Sequence, residues 1–151
     1  MTQEQKELLF KDLCGRLPYG VKISVLSWDE REMEYIDRVD VLYSVNGDEY
    51  IKSTNEDYDF SLEDIKPYLF PLSSMTEEQK KEISNRYNYY NPYQLCVLIT
   101  NHRQGCWDND DNSCDLRDYL WLEDWFNKNH FDYRGLIPMG LAIDATNLNI
   151  Y

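Results

Sequence analysis

The densest group of potential metal ligands in the chain is segment 105–115, GCWDNDDNSCD, with four Asp, two Asn and the thiols of Cys106 and Cys114. Carboxylate and amide oxygens suit calcium, whereas thiolates suit zinc. The same residue types also begin helices and form acidic contact surfaces. A metal site, a contact surface and a helix start are therefore the three competing interpretations.

Calcium is disfavoured by two positions of this loop. If Asp108 is the first ligand of an EF-hand loop, Asp110 and Asn112 fall at the third and fifth positions, as required. The sixth position needs a glycine for the sharp turn and holds Ser113. The twelfth needs a bidentate Glu and holds Tyr119. The sequence therefore predicts no strong calcium site.

Zinc is disfavoured by the spacing of the thiols. Seven residues separate Cys106 from Cys114, whereas structural zinc sites usually pair cysteines two to four residues apart. His102 could be a third ligand, but the fourth would have to come from Cys14 or His130. We therefore predict no metal and no cofactor.

A helix start is the favoured interpretation of the segment. Asp111, Asn112 or Ser113 can cap the helix that follows, and Asp115 in its first turn meets the positive end of the helix dipole. As a contact surface, the segment offers four binding candidates: Trp107, Asp108, Asp110 and Asp111.

Catalytic motifs are absent from the sequence. It contains no G-x-S-x-G, P-loop, G-x-G-x-x-G, H-E-x-x-H or C-x-x-C pattern. We expect His130, beside Phe131, to be a packed or helix-terminal histidine rather than a general base. A glycosidase-like carboxylate pair stays open because acids are abundant. No catalytic residue is predicted, and the sequence favours a binding protein over an enzyme.

Four tyrosines crowd the segment NRYNYYNPY. Tyrosine is enriched at interfaces, where it supplies rigid amphipathic area. Its ring can equally cover the core beneath the strand expected at 93–100. Both interpretations stay open for these further binding candidates: Tyr87, Tyr89, Tyr90 and Tyr93.

The charge of the chain limits its partners. The 151 residues carry a net charge of −13, and residues 29–66 alone hold 13 acidic and 4 basic side chains, a net charge of −9. This negative field disfavours nucleic acid and anionic membranes and suits a host protein with a basic surface, although a purely solubilising role stays open. No apolar run approaches the roughly 20 residues that span a bilayer. Without a signal peptide, we expect a cytoplasmic protein whose four cysteines are free thiols.

The first element that must position these residues is a helix. Thr2 is its predicted N-cap, and Leu9 and Leu13 lie at helical spacing. Gly15 and Pro18 predict its end.

A three-stranded antiparallel meander is predicted next. Val21, Ile23 and Val25 alternate with polar residues in its first strand, and Asn46-Gly47 predicts a type I′ hairpin turn before a return strand at 48–53. The second strand carries apolar residues that we expect to face one way: Val39, Val41, Tyr43 and Val45.

The middle of the chain is predicted to alternate between irregular and regular structure. Pro67 and Pro71 should break regular structure around residues 68–70, whose apolar side chains would plug one end of the core. Thr76 is the predicted N-cap of a second helix. The apolar run QLCVLIT, 94–100, predicts a further strand.

The last third is predicted to hold an amphipathic helix and a packed tail. Tyr119, Leu122 and Phe126 fall at positions i, i+3 and i+7 of that helix. Asp132 can cap a short helical turn in the tail. We therefore expect one α+β domain over residues 1–151, with a small antiparallel sheet (the meander plus one further strand) packed with about three helices.

Three stretches resemble a group of short uncharacterised proteins of gut anaerobic bacteria, often encoded in prophage or mobile-element regions. They are TQEQKELLFKDLCGRLPYGVK (2–22), KPYLFPLSSMTEEQKKE (66–82) and WFNKNHFDYRGLIPMGLAIDATNLNIY (125–151). The resemblance implies a phage or mobile-element origin and transfers no functional residue.

The sequence thus predicts a small acidic protein that acts by binding a host protein. An inhibitor of a host defence or nucleic-acid-handling protein is the sharper form of this hypothesis. The alternative is a small-molecule binding module, for a nucleotide or sugar, with an aromatic-lined pocket.

Overall fold

The computed structural model describes residues 1–29, 31–47, 50–55, 58–86 and 116–151. Three α-helices and five strands lie within these ranges: α1 (Gln3–Arg16), β1 (Lys22–Asp29), β2 (Glu34–Val45), β3 (Ile51–Ser53), β4 (Ile65–Leu69), α2 (Glu77–Arg86), α3 (Leu116–Lys128) and β5 (Ile143–Asp144).

The strands form one sheet in the order β3-β2-β1-β4-β5. β1, β2 and β3 make the predicted antiparallel meander, β4 is antiparallel to β1, and β5 is parallel to β4. The predicted α+β class is therefore confirmed. The sheet is mixed and five-stranded rather than antiparallel and four-stranded, and the strand predicted at 94–100 lies outside the described residues.

α1 begins as predicted and ends at Arg16, between Gly15 and Pro18, where its end is predicted. The Thr2 hydroxyl accepts a hydrogen bond from the Gln5 amide, and the Gln5 side chain accepts one from the Thr2 amide, which forms a capping box. Gly15 does not end the helix. It lies inside α1, where an added Cβ would come within 2.9 Å of the Asn127 side chain. A 3₁₀ turn, Leu17–Tyr19, follows α1, and Gly20, with a left-handed φ of 61°, ends that turn.

β2 turns its apolar residues in two directions. Val39 and Tyr43 share the face that points away from the core, whereas Leu42 is buried. A shift of register just after Leu42 turns Val45 back against the core, so the prediction that Val45 shares the face of Tyr43 is wrong.

The hairpin at Asn46-Gly47 is present with a longer loop than a two-residue turn. The Asn46 amide donates to the carbonyl of Tyr50, and Gly47 adopts a φ of 89°. β3 therefore starts at Ile51 rather than at residue 48.

β4 contradicts the prediction that the prolines exclude regular structure at 68–70. Pro67 lies opposite Ile23 of β1, and β5 pairs with β4 only from Tyr68 onward. Because proline has no N–H to donate, it is tolerated at a strand position that the second neighbour does not reach. The expected burial is confirmed, since Tyr68 and Leu69 lie in the core.

The other two helices follow their sequence signals. Thr76 caps α2 through a second capping box with Gln79. In α3, Leu122 and Phe126 are buried, as the i, i+3, i+7 spacing predicts, and Tyr119 packs beside them. α2 adds Ile83 to the same cluster.

The tail packs back on the fold without the predicted helical turn. The two carboxylate oxygens of Asp132 accept hydrogen bonds from the amides of Leu136 and Ile137, both at 2.8 Å. Asp132 therefore fixes a turn rather than capping a helix, and the chain continues into β5, where Ile143 pairs with Tyr68.

A fully buried ion pair joins α1 to α3 and the tail. Arg16 and Asp12 both have 0% exposed side chains, and Arg16 donates two hydrogen bonds to the Asp12 carboxylate at 2.6 and 3.0 Å. Two further guanidinium N–H groups donate to the carbonyls of Phe126 at 3.5 Å and Phe131 at 2.8 Å. α1, the end of α3 and the tail are therefore held by one side chain.

Arg134 extends this network to the surface. It donates to Asp12 at 3.0 Å and to Glu123 of α3 at 2.6 Å. Its guanidinium also lies over the ring of Tyr133, 4.6 Å from the centroid. Asp12 is thus shared by two arginines.

We expect Asp12→Ala to lower the free energy of unfolding by about 3–5 kcal/mol, because it leaves the Arg16 guanidinium buried without a counter-charge. Lys11→Ala is the matched control. Lys11 is the exposed neighbour of Asp12 on α1, so its substitution should change the free energy of unfolding by less than about 0.5 kcal/mol. Urea denaturation of both variants measures the difference. A loss below about 1 kcal/mol for Asp12→Ala would contradict a buried uncompensated charge.

Candidate functional site

All the binding candidates from the sequence lie outside the described residues, so their arrangement stays a prediction. The same holds for the loop ligands weighed for calcium and zinc. Within the described ranges, no three His, Cys, Asp or Glu side chains gather as a metal-binding group. Cys14 is an exposed free thiol, as predicted. The undescribed candidates are Tyr87, Tyr89, Tyr90, Tyr93, Trp107, Asp108, Asp110 and Asp111.

The outer face of the β1–β2 hairpin carries an exposed apolar surface, here called the hairpin face. Cross-strand pairing places Trp28 opposite Tyr35, and Leu26 follows on the same face because side chains alternate along a strand. These side chains are 42–66% exposed, which is high for large apolar groups in a sheet. The hairpin face comprises Leu26, Trp28, Tyr35, Val39 and Tyr43.

Two aromatic rings on the hairpin face are already ordered. Trp28 and Tyr35 meet edge to face, with ring centroids 5.1 Å apart at an interplanar angle of 68°. Aromatic pairs of this geometry attract each other by about 0.5–1.5 kcal/mol, so this contact reduces the conformational entropy that binding would cost.

The tip of the hairpin is a defined acidic turn. Asp29 accepts hydrogen bonds from the amides of Arg31 and Glu32 and from the Arg38 side chain. The bonds from these two amides are the main reason why the pKa of Asp29 lies below its usual value. Met33, with φ 55° and 70% exposure, projects from the turn. The hairpin therefore presents an apolar centre beside ionised carboxylates.

Asp40 of β2 does not belong to the exposed carboxylates of the hairpin. It is buried and accepts hydrogen bonds from the Thr54 hydroxyl at 2.6 Å and the Asn55 amide at 2.9 Å. Burial alone would raise the pKa of Asp40, but the hydrogen bonds outweigh it and hold the pKa at about 2. This carboxylate therefore ties β2 to the segment after β3.

A cavity of about 500 Å³ lies where the start of α2, the end of α3 and the tail meet. Its polar lining includes Ser74, Gln79, Lys128 and His130. The rings of Phe70, Phe131 and Tyr151 line it as well. Its volume falls in the range of small-molecule sites, and we call it the tail cavity.

His130 lies on the wall of the tail cavity in an unusual environment. It has a φ of 57°, and its ring stacks on Tyr151 with centroids 4.2 Å apart. Burial, with a smaller contribution from the charge of Arg16, lowers the pKa of His130 to about 4. Its Nδ1 atom is buried and has no hydrogen-bond partner among the described residues. The imidazole is therefore neutral at pH 7, with one ring nitrogen unused.

Tyr151 anchors the tail beside this histidine. Its hydroxyl donates to the carbonyl of Tyr68 at 2.9 Å and accepts from the amide of Lys22 at 3.0 Å. Burial raises the pKa of Tyr151 to about 12, so the phenol stays protonated at neutral pH. The wall of the tail cavity is thus tied to both β1 and β4.

The sequence predicted an acidic contact surface within 29–66, but neither the apolar residues of the hairpin face nor the tail cavity. The sequence contains a signal for the hairpin face, because the apolar positions of β1 change from Ile23 and Val25 to Leu26 and Trp28, which lie on the opposite face of the strand. A strand that is apolar on both faces needs a second covering layer or a partner. The tail cavity had no such signal, since its residues come from three distant segments.

No helix in the described part of the chain has the length and apolar character needed to cross a membrane. No family model, curated protein or solved structure matches this chain. Function is therefore inferred from the chemistry of the two surfaces.

The depressed pKa of His130 predicts a pH dependence of stability. Because the imidazole binds its proton more weakly when folded, its contribution is complete above about pH 6.5 and is lost as the pH falls toward 4. We expect a loss of about 1 kcal/mol between pH 7 and 5, after a discount for partial exposure. His130→Asn, which tolerates the left-handed backbone, should show a flatter profile.

The titration can be followed directly by NMR of the two imidazoles, with His102→Asn to assign the signals. A His130 pKa close to 6.5, or an equal pH dependence in His130→Asn, would show that the ring is not held in the neutral form.

Proposed function

We propose that this protein is a non-enzymatic binding protein that holds a host protein through the hairpin face. The observation that carries the proposal is the set of five exposed apolar side chains on one face of a preformed hairpin. Monomeric proteins rarely leave such patches exposed unless they bind a partner. Aromatic residues at the centre of a patch commonly supply most of the binding energy.

The charge near the hairpin face indicates the chemistry of the partner. Glu34 and Asp37 are exposed on β2, and Glu32 is exposed at the tip. They belong to segment 29–66, whose net charge of −9 repels a second copy of this chain. A partner with an apolar patch bordered by Lys and Arg is complementary.

Proteins that handle nucleic acid fit this description best. Their binding surfaces are basic, and an acidic protein can occupy them by presenting carboxylates where phosphates would lie. This supports an inhibitor of a host defence or nucleic-acid-handling protein, in agreement with the phage or mobile-element origin that the sequence resemblance implies.

The double variant Trp28→Ser/Tyr35→Ser tests the proposal. The partner is first captured from a host lysate with the native protein. We expect the double variant to bind this partner roughly 30-fold more weakly, since truncation of central aromatics costs about 2 kcal/mol or more. Tyr50→Ser, at an exposed tyrosine outside the hairpin face, is the matched control and should bind normally. Mass spectrometry identifies the captured partner. Calorimetry with the purified partner then gives its affinity for the native protein and for each variant.

A salt series on the same pair tests the electrostatic part. Glu34→Gln/Asp37→Asn should lower the association rate and weaken its dependence on ionic strength. Equal affinity of the aromatic double variant and the native protein, or a captured partner without a basic surface, would overturn the proposal.

A further inference from the structure

The tail cavity has two polar walls and an aromatic lining. Ser74, Thr76 and Gln79, just before and within the first turn of α2, form one wall, and residues 128–131, at the end of α3, form the other. The rings of Phe70 and Tyr151 lie 5.6 Å apart, and those of Phe70 and Phe131 lie 6.2 Å apart. A planar ligand can stack on such rings, and base–aromatic stacking contributes about 1–3 kcal/mol per base.

Several polar groups of the cavity keep unused hydrogen-bonding capacity. The carbonyl oxygen of the Gln79 side chain accepts from the Thr76 amide at 2.9 Å, which leaves its NH₂ group available as a donor. The Ser74 hydroxyl donates to the carbonyl of Pro71 at 2.7 Å and can still accept. The Nδ1 atom of His130 is also unpaired among the described residues, but it is buried and does not face the open cavity, so the side chains of Gln79 and Ser74 are the available groups. Together these groups can recognise a polar ligand.

The charge of the lining is opposite to that of the chain. Although the protein carries a net charge of −13, no Asp or Glu side chain is among the described residues that line the cavity. Lys128 is exposed there and makes no ion pair within the described ranges. The neutral imidazole of His130 adds no charge at pH 7. The cavity therefore favours an anionic group near Lys128.

From this combination we propose that the tail cavity binds a small metabolite with one planar ring and one anionic group, of the nucleoside monophosphate class. The ring stacks in the aromatic part of the cavity, and the phosphate pairs with Lys128. The Gln79 NH₂ group and the Ser74 hydroxyl supply hydrogen bonds to the polar edges of the ligand. The site is separate from the hairpin face, so the two proposals stand or fall independently.

Calorimetric titration with adenosine monophosphate, adenosine, inorganic phosphate and glucose 6-phosphate tests the inference. We expect adenosine monophosphate to bind at least about tenfold more tightly than each of the other three, because only it carries both the ring and the anion. Lys128→Gln should weaken its binding at least about fivefold and leave that of adenosine unchanged. Lys52→Gln, an exposed lysine on β3, is the matched control and should bind as the native protein does.

Each alternative outcome counts against the site. Absence of binding at about 5 mM adenosine monophosphate, or equal binding in Lys128→Gln, would overturn it. Equal binding of glucose 6-phosphate would overturn the planar-ring requirement. Trp28→Ser/Tyr35→Ser should bind the nucleotide normally, which distinguishes failure of the tail cavity from failure of the hairpin face.

Discussion

The burial of the Arg16 guanidinium is the constraint on which the rest of this structure depends. A charged group taken out of water is tolerated only if its donors are satisfied and its charge is balanced. Asp12 supplies the counter-charge, and the carbonyls of Phe126 and Phe131 accept further hydrogen bonds. Each requirement is met by a different part of the chain, so the fold must bring α1, the end of α3 and the tail together before Arg16 can be buried.

This constraint also shapes the tail cavity. The two carbonyls held by Arg16 flank residues 127–130, which include Lys128 and the left-handed His130. Tyr151 then stacks on that histidine and bonds to β1 and β4. The wall of the cavity is therefore tied to the buried charge of Arg16 and to the sheet. The hairpin face, by contrast, depends only on local β1–β2 pairing and on the Trp28–Tyr35 contact.

Local signals in the sequence were sufficient for the features that depend on neighbouring residues. The N-caps at Thr2 and Thr76 and the buried stripe of α3 are confirmed because a few adjacent side chains determine them. Pairings between distant residues could not be foreseen: β4 forms despite Pro67 because β5 leaves that position unpaired. Asp12 and Arg16, spaced i and i+4, look like an ordinary surface pair on a helix, and only segments more than 100 residues away bury them.

Native-state hydrogen exchange tests most directly whether Arg16 makes α1, α3 and the tail one cooperative unit. The amide of Asp132, which donates to the carbonyl of Phe70, reports on the tail, and the amide of Leu13 reports on α1. We predict equal free energies of opening for the two amides, both close to the global free energy of unfolding. Exchange of Asp132 through a low-energy local opening while Leu13 stays fully protected would contradict the account.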